Sequence, residues 1–217
     1  MFVKICGITN EDDALLAVAM GADAVGFIFA PSERQIAPQK AYDITRRLPP
    51  EVLTVGVFRN DLPARVVDIA HRAGVKAVQL HGRETAEQCR EIAGHFRWTI
   101  KAFAAGDDNL PSADTYGTDM ILMDAPEPGS GKVFDWNLAG DAPSQMKLIL
   151  AGGLNPGNVA AAITEVEPWG VDVASGVESA PGKKDPIAVM RFIANAKAAA
   201  PEQYLGEDEG PYNWDFE

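Results

Sequence analysis

The stretch KLILAGGLNPGNVAAAITEVEPWGVDVASG, residues 147–176, contains one full repeat of the pattern that organises this chain. A short apolar, β-rich run ends in two glycines, a helical segment follows, and a second β-rich run ends in another small-residue turn. Outward from it, the same unit recurs. The β-rich runs are VKICGI from Val3, AVGFIF from Ala24, LTVGVF from Leu53, AVQLHG from Ala77, WTIKAF from Trp98, MILMDA from Met120, KLILAGG from Lys147 and VDVASG from Val171. Most are nearly continuous in apolar residues rather than alternating, as expected of parallel strands covered on both faces.

Amphipathic segments such as DDALLAVAMGA, PARVVDIAHRAG and ETAEQCREIAG lie between the runs, with apolar residues three and four apart and glycine near their ends. Eight strand-then-helix units in about 200 residues predict an α/β fold, a single (β/α)8 TIM barrel over residues 1–200. A doubly wound open sheet would use fewer strands and carry a glycine fingerprint at its first turn. Residues 201–217, PEQYLGEDEGPYNWDFE, depart from the pattern and form a short acidic extension, not a domain. Its four aromatic residues, Tyr204, Tyr212, Trp214 and Phe216, predict partial docking on the barrel.

The chain has 217 residues, 47% of them hydrophobic, enough to bury one sizeable core. Its net charge of −12 would repel a phosphate backbone and an anionic membrane surface alike, so neither nucleic acid nor membrane is an expected partner. The N-terminal residues have acids where a signal peptide needs an apolar run, and no stretch is long and apolar enough to span a bilayer, so a cytoplasmic location is expected. Two distant cysteines, Cys6 and Cys89, match no metal-ligand spacing, and no metal is expected. Cys89, in AEQCREI, reads as core.

Function in such a barrel sits at the C-terminal ends of the strands. Gly152 and Gly153 after the seventh strand, and Ser175 and Gly176 after the eighth, offer bare backbone N–H groups where a phosphate site recurs in this architecture. Turn chemistry is the alternative use of those glycines. Strand parity puts Lys4 and Cys6 on one face of the first strand and Leu122 and Asp124 on one face of the sixth; with Val3 and Ile5 under helices, Cys6 and Asp124 point into the barrel mouth. The two strands are three steps apart around eight, with the phosphate loops on the arc between. A phosphorylated substrate held there would have a thiol on one flank and a carboxyl on the other. Alone, a buried cysteine is usually structural and an aspartate ending a strand is often a turn residue. Arg34 is either a solvated loop charge or the receiver of an anionic part of the substrate. His81 either satisfies a backbone group at its strand end, the plainer role, or joins the substrate site. Lys132 and Asp135, in GSGKVFDW, read as a loop over the mouth.

KICGIT at 4–9, GADAVGFIF with PSERQI through residue 36, VGVF at 55–58, VQLHG at 78–82, ILMDA at 121–125, GSGKVFDW at 129–136, LAGGLNPGNV at 150–159 and GVDVASGVESAPGKKD at 170–185 together closely resemble the phosphoribosylanthranilate isomerases of tryptophan biosynthesis. The resemblance runs in order from residue 3 to about 198 and leaves the tail out. It implies a cofactor-independent Amadori rearrangement of N-(5-phosphoribosyl)anthranilate to 1-(2-carboxyphenylamino)-1-deoxyribulose 5-phosphate. It also implies Cys6 as general base, Asp124 as general acid, and Arg34 at the anthranilate end, in a monomer or homodimer. An acid of this kind needs a raised pKa and a base needs an ionised thiol; Lys4, on the face of Cys6, is the expected stabiliser of that thiolate. A barrel lyase forming indole would call for a lysine or paired glutamates at the mouth, and a histidine-pathway isomerase for two aspartates. A non-catalytic phosphosugar binder would keep the phosphate loops without needing the acid–base pair.

Overall fold

The computed structural model describes residues 1–125, 138 and 142–201. Eight parallel strands close into a barrel in sequence order, the last pairing with the first. They are β1 (Phe2–Ile5), β2 (Ala24–Ile28), β3 (Leu53–Phe58), β4 (Ala77–Leu80), β5 (Trp98–Ala104), β6 (Met120–Asp124), β7 (Lys147–Leu150) and β8 (Gly170–Val173). Every β-rich run of the sequence is one of these strands. The helices packed outside are α1 (Glu11–Ala19), α2 (Pro38–Thr45), α3 (Pro63–Ala73), α4 (Ala86–Ala93), α5 (Val159–Val166) and α6 (Pro186–Ala198). Proline opens α2, α3 and α6, where its missing N–H costs nothing. Thr85 and Gln88 cap α4 reciprocally, and Asp185 caps α6.

Among the described residues, two units depart from strict strand-then-helix alternation. Between β5 and β6 the chain makes a 3-10 helix over Leu110–Tyr116 instead of an α-helix. The segment LPSADTY contains a proline and three short polar residues, which compete with helical hydrogen bonds; the Thr115 hydroxyl, for example, donates to the Ser112 carbonyl at 2.7 Å. After β8 come a 3-10 turn, Ser175–Val177, and a two-stranded ribbon of β9 (Glu178–Ala180) and β10 (Lys183–Lys184), before α6. The loop bearing Lys132 and Asp135, and the tail from residue 202, lie outside the described residues.

Side-chain alternation divides the core in two. Phe2, Leu53, Val55, Ala77, Ile100, Met120, Leu122 and Ile149 fill the barrel, while Val3, Ile5, Val25, Phe27, Val78, Leu80, Ile121 and Met123 pack beneath the helices. Lys4, Cys6, Gln79, Asp124 and Asp172 therefore fall on the inward register, as parity predicts for Cys6 and Asp124. Gly26 on β2 leaves the space that Cys6 and Lys4 need, since a Cβ there would lie 2.7 Å from Cys6 Sγ and 3.3 Å from Lys4 Cε.

Candidate active site

The loops after β7 and β8 form one wall of a cavity lined by Ala151, Gly152, Gly153, Leu154, Asp172, Val173, Ala174, Ser175 and Gly176, together with Asp124 and Ala125 at the end of the adjacent β6. The cavity is small, about 70 Å³, below the roughly 300–1,000 Å³ of a site that holds a whole small molecule. Gly152 and Gly153 both have positive φ, 82° and 67°, so both turn in the left-handed region where a side chain is disfavoured. Gly176 is a glycine for a different reason: the carbonyl of Leu154, from the neighbouring loop, occupies the place of its Cβ. The two predicted phosphate loops thus pack directly on one another.

Asp124 is 8% exposed at the end of β6. Its Oδ1 accepts the Ala125 N–H at 2.8 Å, and its Oδ2 lies 3.2 Å from His81 Nε2. The other ring nitrogen of His81 is 2.8 Å from Gln79 Nε2, two residues earlier on β4. Among the described residues the His81 ring bonds the side chains of Gln79 and Asp124 rather than the backbone group expected of it. On this side a second cavity, with Arg59, Asn60, Arg83, Asp107 and His81 in its wall, also reaches Asp124. The β3 and β4 loops there are tied by Glu84, which accepts N–H groups of Asn60 (2.8 Å) and Gly82 (2.9 Å) and pairs with buried Lys101 at 3.0 Å. Burial pushes the Glu84 carboxyl up, but Lys101 and the backbone donors outweigh it and hold the group below the ordinary carboxylate range.

Cys6 is 5% exposed at the end of β1 and does not line the glycine-loop cavity. Lys4 connects it to that cavity: its Nζ is 2.9 Å from Asp172, a lining residue, and its charge acts on the Cys6 sulfur. Burial pushes the Cys6 thiol up, Lys4 pulls it down, Asp172 pushes it up again and Lys184 pulls it down; the outcome is a pKa above that of a free thiol. Lys4 therefore acts in the expected direction and is outweighed.

Arg34 is not a solvated loop charge. Its guanidinium makes a bidentate pair with Glu178, Nε at 2.9 Å and Nη2 at 2.8 Å, and its stem lies over Gly7, beside Cys6. Glu178 also binds Lys184 Nζ at 2.9 Å, which in turn donates to the Ala174 carbonyl at 3.0 Å. Cys89 is fully buried, as expected of core. Sequence reasoning does not single out Asp172, Glu178, Lys184, Gln79 or the Glu84–Lys101 pair. For Asp172, Gln79 and Lys101 a signal is present, as charged or amide residues inside the otherwise apolar runs VDVASG, AVQLHG and WTIKAF.

A protein-family profile described as N-(5'phosphoribosyl)anthranilate (PRA) isomerase matches residues 3–195. The chain belongs to the phosphoribosylanthranilate isomerase family. Among curated members, the N-(5'-phosphoribosyl)anthranilate isomerase of Desulforudis audaxviator is 50% identical over 204 residues, covering 91% of this chain and 98% of the relative. The crystal structure of phosphoribosyl anthranilate isomerase from Thermus thermophilus superposes with a TM-score of 0.86 at 38% identity, over 91% of this chain and 99% of that one. A further isomerase structure, solved with reduced 1-(o-carboxyphenylamino)-1-deoxyribulose 5-phosphate, gives a TM-score of 0.81 at 46% identity, with coverage of 91% and 99%.

Proposed function

We propose that this phosphoribosylanthranilate isomerase works through Asp124 as general acid and Cys6 as general base, with the phosphate held by the Gly152–Gly153 and Ser175–Gly176 loops. Asp124 protonates the ring oxygen of the aminofuranose; the C1–O bond breaks as the nitrogen lone pair forms a C1=N iminium. Cys6 thiolate then takes the proton from C2, and those electrons neutralise the iminium to give an enolamine. Proton transfer from the C2 hydroxyl to C1 yields the ketone. C1 is reduced and C2 oxidised within one molecule, so the chemistry balances without a co-reactant. The observation that supports this most is the shared cavity, whose lining joins Asp124 to both glycine loops.

The buried thiol fits a base that ionises late. In the free protein burial keeps the thiol protonated to higher pH; a cationic iminium beside C2 favours release of that proton to solvent, giving the thiolate at the step that needs it. Arg34, on Gly7 next to Cys6, receives the anthranilate carboxylate, and His81 lies on the substrate side of Asp124. The ligand is a small phosphorylated molecule, and the protein works as a monomer or homodimer, which sedimentation velocity distinguishes. Loss of the fluorescence of freshly made N-(5-phosphoribosyl)anthranilate on addition of the purified chain tests the assignment. Turnover is expected; binding of the substrate without turnover overturns it in favour of a phosphosugar-binding protein.

A further inference from the structure

Gln79 sits in the barrel interior, 1% exposed, and its amide Oε1 is one of two buried side-chain polar atoms without a partner among the described residues. An unpaired amide oxygen is costly inside a protein, and a leucine or methionine would fill the space without that cost. Packing alone does not account for a glutamine here. The same amide does make one bond, from Nε2 to His81 Nδ1 at 2.8 Å. An amide N–H can only donate, so with the amide in this orientation Nδ1 accepts and the ring proton sits on Nε2. That proton points at Asp124 Oδ2, 3.2 Å away.

We propose that Gln79 is a positioning residue that fixes His81 in its Nε2–H tautomer, so that the ring donates to the Asp124 carboxylate formed as the acid gives up its proton. With the Ala125 N–H on Oδ1, both oxygens of the new carboxylate then have a donor in place before reaction. The opposite amide orientation would put Oε1 against Nδ1, draw the proton there, and leave a neutral ring with a lone pair facing Asp124. The assignment rests on Asp124 as the general acid. It concerns a residue that touches no substrate and acts only through His81.

The tautomer is read directly from the two ring 15N shifts of His81 in the 15N-histidine-labelled full chain without substrate. Wild type is expected to show one form, Nε2 protonated. Gln79→Met should give a mixture of tautomers, and the nearly isosteric Gln79→Glu should protonate Nδ1. In turnover, Gln79→Met should lower kcat about tenfold with KM changed less than about twofold, since the lost interaction belongs to the transition state. In a His81→Ala background the same substitution should cost nothing more, because the coupling runs through the ring. Unchanged ring shifts in both Gln79 variants, or an equal kcat loss in both backgrounds, would overturn the proposal. Near-wild-type turnover of Asp124→Asn would instead reject the acid itself, while the ring shifts still report whether Gln79 sets the tautomer.

Discussion

Lys4 shows how two charges at one residue's reach set the state of a third. It pulls the Cys6 thiol down while Asp172, 2.9 Å from its ammonium, pushes it up. Lys4→Met should therefore raise the Cys6 pKa further, and Asp172→Asn should lower it; the pH dependence of alkylation by a small iodoacetamide reads both, and no change in either rejects the electrostatic account. Both variants break a buried pair, so a stability loss of about 3–5 kcal/mol is expected for each, measured by urea unfolding. Arg34→Ala should weaken an anthranilate-bearing ligand more than a simple sugar phosphate; equal weakening would remove Arg34 from the aromatic end. The inward aim of Cys6 and Asp124 is legible from strand parity alone. Asp172 and Glu178 are not legible as partners, because alternation along a strand gives the face of a side chain and not which side chain of a distant strand it meets.

At the scale of elements, the β8 loop is held against the β7 loop and the β3 loop against the β4 loop. The carbonyl of Leu154 fills the place of a Cβ on Gly176, so Gly176→Ala must push the β7 and β8 loops apart. It should raise KM for the phosphorylated substrate about tenfold, equivalent to about 1.4 kcal/mol, while kcat falls less. An unaltered KM would mean that these loops do not carry the phosphate. All eight strands are legible in the sequence, since unbroken apolar runs bounded by glycine have few other readings. The 3-10 helix Leu110–Tyr116 is not, because whether short polar residues complete an α-helix depends on capping and packing that spacing does not show. Glu84 is likewise invisible as a clamp until Asn60 and Gly82 are seen at its two oxygens.

The whole molecule carries its stability within a bounded pH range. Glu84 and Glu178 are held below the ordinary carboxylate value in the folded chain, so their contribution is complete above about pH 4.3 and is lost as pH falls through their native values. At the alkaline end, burial pushes the Cys89 thiol up to about 11 and raises Cys6 as well. The unfolded chain gives up these protons first, from about pH 8.5, so stability should fall as pH rises from there toward about 11. Thermal melts across that window should show a shallower fall for Cys89→Ala than for wild type; identical slopes would contradict the burial effect. Across the molecule, the barrel brings a sulfur from β1 and a carboxyl from β6 toward one mouth beside paired glycine loops, and the activity is assigned to that pair. The most direct test is kcat for N-(5-phosphoribosyl)anthranilate in Cys6→Ala and Asp124→Asn, each checked for an unchanged circular dichroism spectrum. Each should fall at least about a hundredfold, the scale of a positioned acid or base, whereas a folded variant of either kind turning over at close to the wild-type rate would contradict the mechanism.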